Sequence, residues 1–346
     1  MSKMATKEPG RPEVAQSDDP PLPGPEARKK PAMIIIGRNE GARFLACLAS
    51  IGDQFSRVIY VDSGSTDGSV AAAKAAGLEV VHLDMTRPFT AARARNAGLD
   101  RLTGGNELAD FVQFIDGDCV LQPGWVDSAT RFLHATPQAA MVCGRLCERF
   151  PEATIYNRLA ELEWAGSPGQ VKACGGIAMG RTRALVQAGG FDPDLIAGEE
   201  PELCLRLRLA GWEIWRLEED MALHDAAMTR FGQWWQRALR AGYTYAEGVA
   251  MYGRSPERHK LRELTSVLAW GLVLPLILLA VAMLVTPWAL AGLLAYPAQV
   301  LRLRWRGFPW IQALFLVLGK FPETQGALTY GWRRLTRRRV QLIEYK

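Results

Sequence analysis

A chain of 346 residues, 49% of them apolar, is long enough to bury the core of one large α/β domain with an appendage, and its net charge of +5 is too small to mark a nucleic-acid binder. The placement of the charge is more informative: arginines crowd into Arg302 to Arg306 and Arg333 to Arg339, beside the most apolar part of the chain, which points to a membrane surface. Six scattered cysteines, with no CxxC pair and no secretory signal ahead of them, read as reduced core thiols and place the chemistry in the cytosol.

Residues 1–30 are rich in Pro, Glu, Lys and Asp and hold no apolar run, so a disordered tail is expected there. From Ala32 a β-α-β pattern sets in. Met33 to Ile36 reads as a strand, Glu40 to Ile51 as a helix, and Arg57 to Val61 as a second strand closed by Asp62. Such alternation predicts a parallel sheet with right-handed crossovers. The polar turn from Asp62 to Ser69 caps a helix over Val70 to Ala76; capping explains Ser65 to Ser69 but not an acid at the strand end. A third strand, Glu79 to Leu83, leads to a helix over Phe89 to Leu99. There Arg93 and Asn96 share a face that is either solvated or a clamp for phosphate or ribose, with Arg95 close by.

The next strand, Phe111 to Ile115, runs into Asp116-Gly117-Asp118. Period-two alternation puts the two carboxylates on one side with a glycine between them. Three readings fit: a solvated turn, an Asp-x-Asp-x-Val-Leu phosphatase with Asp116 as covalent nucleophile, or oxygen donors for a divalent ion on a diphosphate. Beyond a helix over Trp125 to Ala135 and a strand over Ala140 to Leu146 comes Cys174 to Arg181, where Gly175 and Gly176 permit close approach of backbone to a ligand. Gly198-Glu199-Glu200-Pro201-Glu202 then opens a helix over Leu203 to Ala210. Acids there complement the helix dipole, yet three around one proline exceed what a cap requires. A strand over Glu213 to Leu217 precedes His224, which reads as a structural group or a ligand.

At the apolar end, Val267 to Val285 is long enough to span a bilayer, Trp288 to Val300 is shorter, and Trp310 to Leu318 is expected in the interface. Basic residues flank the first two stretches, Arg258, Lys260 and Arg262 before and Arg302, Arg304 and Arg306 after. They predict a hairpin that returns to the cytosol, with a soluble helical subdomain as the alternative. The expected division is a tail over 1–30, a catalytic domain over 31–255 and a membrane-associated helical region with a basic tail over 256–346.

The ordered set Arg38-Asn39-Glu40, Val61-Asp62-Ser63-Gly64-Ser65-Thr66-Asp67-Gly68, Ala92 to Gly98, Asp116-Gly117-Asp118, Gly175-Gly176, Gly189-Gly190-Phe191-Asp192 and Gly198-Glu199-Glu200 resembles family-2 glycosyltransferases of the GT-A fold, over about residues 32–250. The resemblance implies an α/β fold with a mostly parallel sheet covered by helices on both faces, joined to C-terminal membrane-associated helices. It implies inverting transfer of a sugar from a nucleotide-diphosphate donor, a uridine or guanosine diphosphate sugar, to a lipid-linked or polysaccharide acceptor at the cytosolic face of the inner membrane, with Mg or Mn. By the same likeness Arg38, Glu40, Asp62, Arg95, Asn96, Asp116 and Gly176 fall to the nucleotide sugar, and Asp118 and His224 to the metal. Glu200 falls to the catalytic base, with Glu199 as its neighbouring candidate. Ser63 stands where many members carry a second Asp, and Glu200 where most carry Asp; these departures keep an inactive scaffold as the non-enzyme alternative. No Trp follows Arg237, so processivity is not inferred. The phosphatase reading is disfavoured, since it would want its Asp-x-Asp on the first strand.

Overall fold

A computed structural model describes residues 29–105 and 108–336. The expected tail, residues 29 and 30 apart, and the basic residues 337–346 lie outside the described residues. Among the described residues nine strands form one sheet: β1 Ala32–Gly37, β2 Arg57–Asp62, β3 Glu79–His82, β4 Phe111–Asp116, β5 Cys119–Leu121, β6 Ala139–Glu148, β7 Gly169–Gln170, β8 Ala178–Arg181 and β9 Glu213–His224. The order is β3-β2-β1-β4-β8-β6-β9-β5, with β7 on β9. The β3-β2-β1-β4 half is parallel. It is built from near-continuous apolar runs such as Met33 to Ile36, as strands buried on both faces require. Beyond β4 the sheet is mixed, because β8 enters antiparallel between β4 and β6.

The parallel register sets out the site. Gly37 pairs with Asp62 and Ile36 with Asp116, so the carboxyl ends of β1, β2 and β4 carry Arg38, Asp62 and Asp116 to one edge. Helices hold that edge in place. Ala42–Ile51 buries Phe44, Cys47 and Ile51 at helical spacing. Ala91–Thr103 starts where the Thr90 hydroxyl accepts from the Arg93 amide at 3.1 Å. Asp116 and Asp118 do not share a strand as alternation suggested; β4 stops at Asp116, and Gly117-Asp118 is a turn into β5.

After β9, the Phe231–Tyr252 helix crosses the Lys320–Thr336 helix at close range. A Cβ at Gly242 would meet the Glu323 backbone, and one at Gly326 the Leu239 backbone, both closer than any real contact. Between these helices, Leu261–Leu284 forms one run of 24 residues, the one helix among the described residues long and apolar enough to cross a membrane. It contains a π-helical stretch, Ala269–Val273, and the Trp270 carbonyl accepts from the Tyr296 hydroxyl at 2.6 Å. The chain thus comes back alongside the helix, within an apolar surface that leaves Leu276, Ile277, Met283, Leu284 and Trp288 exposed.

Glu247 sits half-buried on the Phe231–Tyr252 helix, and burial, with Asp192 second, pushes its carboxyl up to about 7. Below the ordinary carboxyl value both folded and unfolded chains hold the proton. As pH rises from there towards 7 only the unfolded chain releases it, so stability falls by at most about 3 kcal/mol and then levels off. Glu247→Gln is expected to flatten that decline in thermal midpoint between pH 5 and 7; an unchanged slope would discount the group.

Candidate active site

A cavity of about 690 Å³ opens at the carboxyl edge of β1 and β4. Arg38, Glu40, Arg95, Asp116, Asp118, Gly176 and Glu199 line it, seven of the residues singled out in the sequence. Asp62, Asn96, Glu200 and His224 lie outside the lining. The volume lies in the range of small-molecule sites, and the walls mix both signs of charge.

Arg95 is the centre of the arrangement. It is buried, and its guanidinium donates to Glu199 Oε1 at 2.6 Å and to Asp116 Oδ1 at 3.0 Å. Burial opposes its charge, but the carboxylates of Asp116 and Glu199 outweigh it and raise the pKa. Arg95 is thus an internal bridge between the end of β4 and the helix Glu199–Leu209, rather than a free clamp for phosphate. Gly176 lies directly against it, and a Cβ there would stand 2.6 Å from Nη2.

The two adjacent glutamates face different environments. Gly198, at φ 76, is in the left-handed region that favours glycine, and this lets the helix start at Glu199 rather than at Leu203. Glu200 then shares a buried face with Cys204, one turn on. It is 4% exposed and accepts from the Cys174 amide at 2.5 Å and the Cys204 thiol at 2.9 Å. Burial pushes its carboxyl up. Glu199 is the carboxylate that faces the cavity.

Three other expectations change in the structure. The Asp62 carboxylate accepts from the amides of Gly64 and Ser65, at 3.1 and 3.2 Å, and so shapes its own loop. Asn96 pins the Gly190-Phe191 turn, donating to the Phe191 carbonyl at 2.7 Å and accepting from its amide at 2.8 Å; an Arg93–Asn96 clamp does not form. Arg93 donates instead to the carbonyls of Asp84, Arg87 and Pro88.

His224 ends β9, which runs on well past Leu217 and pairs His224 with Cys119. That register brings the imidazole Nε2 to 3.5 Å from Asp118 Oδ2, while the ring sits edge-on to Trp164. Asp118, Cys119 and His224 offer ligand atoms within 4.8 Å of one another. Burial and the adjacent carboxylates push the Cys119 thiol up, so it acts as a neutral donor to Asp118. Carboxylate and imidazole are the pair that fits a hard or borderline divalent ion.

Local patterns missed the opposite wall. Arg237, Arg240 and Thr244 come from the Phe231–Tyr252 helix, and Glu163 from Ile155–Trp164. Arg237 pairs with Glu163 at 3.0 Å and Arg240 donates to the Ile196 carbonyl at 2.8 Å. Their i,i+3 and i,i+4 spacing along one helix face was the available signal.

Residues 33–178 match the family model for glycosyl transferase family 2. Over that stretch the chain is similar to this family. It is 29% identical over 209 residues to a pre-mycofactocin glycosyltransferase of Mycobacterium tuberculosis, covering 55% of this chain and 41% of that protein. The chain thus spans about two fifths of the length of that curated relative. Among solved structures it is similar to a mannosyltransferase from Pyrobaculum calidifontis in complex with GDP-Man and Mn2+, at TM-score 0.63 and 20% identity, covering 89% of this chain and 88% of that one. At that identity the likeness shows the fold, the GT-A arrangement expected above. The family match ends before Gly198, so any role for Glu199 or Glu200 is argued from geometry.

Proposed function

We propose that this chain is an inverting glycosyltransferase that moves a sugar from a uridine or guanosine diphosphate donor to a lipid-linked or polysaccharide acceptor at the cytosolic face of a membrane. The observation that carries the reading is the single cavity in which Asp116 and Asp118 at the β4 edge face Glu199 on a separate helix. That separation suits a diphosphate on one side of the sugar and a base on the other.

Asp118 with His224, and Asp116 beside them, would hold Mg or Mn, which when bound offsets the charge that grows on the leaving diphosphate. Arg38 and Glu40 at the end of β1 are placed to bind the nucleotide, and Gly176 to admit the donor close to the backbone. Glu199 accepts the acceptor hydroxyl's proton as the new bond forms on the face of the anomeric carbon opposite the leaving group, which inverts its configuration. Arg95 orients that carboxylate. Glu200 supports the loop from beneath through Cys174 and Cys204, so the base moves one residue back from the position implied by resemblance.

The exposed apolar surface of Leu261–Leu284 and the basic residues before it favour a membrane hairpin. Purified full-length protein should show a manganese-dependent thermal shift with one member of a panel of nucleotide sugars, and metal-dependent hydrolysis of the same compound. Absence of both across uridine and guanosine diphosphate sugars would overturn the donor assignment. Recovery of the full chain in the aqueous fraction after gentle lysis would overturn the membrane assignment.

A further inference from the structure

A second cavity, of about 780 Å³, lies outside the donor cleft. Its walls carry five cations, Lys172, Arg208, Arg258, Lys260 and Arg262, against two carboxylates, Glu257 and Glu263. The carboxylates are already engaged. Arg208 is held by both oxygens of Glu257, at 2.9 and 2.8 Å, Lys172 lies 3.7 Å from the same carboxylate, and Lys260 lies 3.6 Å from Glu263. Arg258 and Arg262, both exposed, have no carboxylate within ion-pair distance among the described residues. His259 stays neutral at physiological pH, since burial and the adjacent Lys260 and Arg208 lower its pKa. The cavity is therefore a net cationic pocket.

The chain takes an unusual path to build it. Arg258 at φ 48 and Lys260 at φ 58 are both non-glycine residues in the left-handed region. Two such residues either side of His259 turn the backbone so that Arg258, Lys260 and Arg262 line one cavity. Its other wall consists of Thr265, Ser266, Ala269 and Trp270, from the first turns of the membrane-length helix. A cationic pocket whose wall continues as an exposed apolar helix matches a ligand with an anionic head and an apolar tail. A free anion would use only half of it.

We infer that this pocket binds the net-anionic phosphate head group of a membrane lipid. Pro201 lines the pocket, and Glu199, two residues earlier on the same helix, lines the donor cleft. A lipid phosphate seated here therefore lies beside the first turn of the helix that carries the base, where a glycan attached to that lipid reaches the cleft. The inference rests on the glycosyltransferase reading for the lipid's purpose, not for its binding.

Full-length protein in a neutral maltoside detergent, titrated with dioctanoyl phosphatidic acid, dioctanoyl phosphatidylcholine and inorganic phosphate, tests this directly. Phosphatidic acid should bind at least about tenfold more tightly than the phosphocholine lipid, and the double variant Arg258→Gln/Arg262→Gln should weaken it by at least about tenfold. Both side chains are exposed, so the variant should fold, and its manganese-dependent binding of nucleoside diphosphate should match that of the parent. Equal affinity for the two lipids, or an unaffected double variant, overturns the site. Inorganic phosphate competing at the same concentration as phosphatidic acid reassigns it to free phosphate and also overturns the lipid inference. Because the titration contains no donor, lipid binding without any nucleotide-sugar activity would defeat the enzymatic reading alone, and the reverse result would defeat this one alone.

Discussion

Glu199→Gln should lower the rate of sugar transfer by about a hundred- to ten-thousand-fold while leaving donor affinity nearly unchanged. The carboxylate is the one on its helix that faces the cavity, and a base that acts as the acceptor loses its proton contributes to the transition state more than to the ground state. Gln keeps an oxygen for the Arg95 guanidinium, now 2.6 Å from Oε1, so the bridge to Asp116 survives. Glu200→Gln is the matched variant. Its side chain lies among Cys174 and Cys204, outside the cavity lining, so the variant should cost about 1–3 kcal/mol of stability and leave single-turnover transfer within a few-fold. Single-turnover rates with donor affinity measured separately decide the matter. Transfer lost in Glu200→Gln and kept in Glu199→Gln would return the base to the residue implied by resemblance.

Asp118→Asn should abolish manganese-dependent binding of nucleoside diphosphate, a loss of at least about a hundredfold by titration calorimetry, with the thermal midpoint of the unliganded protein little changed. Asn preserves the volume of a buried side chain and an oxygen for the Cys119 thiol, so the fold should tolerate it. His224→Gln, at the end of β9, should lose about 10- to 100-fold under the same conditions, because it leaves the carboxylate in place. Metal-independent binding should be the same in all three proteins. Full manganese dependence in Asp118→Asn would rule out this carboxylate as a ligand.

Much of this site was legible in the sequence, for a reason that lies in the sheet. Parallel strands end at one edge, so an acid closing an apolar run, as Asp62 and Asp116 do, is placed by the run itself. What a side chain does at that edge was less legible. Asp62 and Asn96 stand where the motifs put them, yet their hydrogen bonds go to their own or a neighbouring loop. The facing of Glu199 and Glu200 depends on where a helix begins, and that is set by the left-handed Gly198, not by the acids. The Arg237 and Arg240 wall was missed because its partners are Glu163 and Ile196, far away in the chain, and no local pattern encodes such a pairing. Within the mostly parallel sheet that was expected, the antiparallel entry of β8 was not legible, because a strand of four residues carries too little pattern to mark it.

The glycine crossing at Gly242 and Gly326 has a bearing on substrate choice. With backbone against backbone there is no side-chain layer to slide, so the helix bearing Arg237, Arg240 and Thr244 and the helices around the apolar hairpin form a single lever. If the hairpin sits in a bilayer as proposed, such a lever would set a constant stand-off between the reacting carbon and the lipid surface. On the function proposed above, such an enzyme would measure its acceptor: the hydroxyl to be glycosylated would be the one whose distance from the lipid anchor equals that stand-off, and longer or shorter glycans would be passed over however well their sugars match.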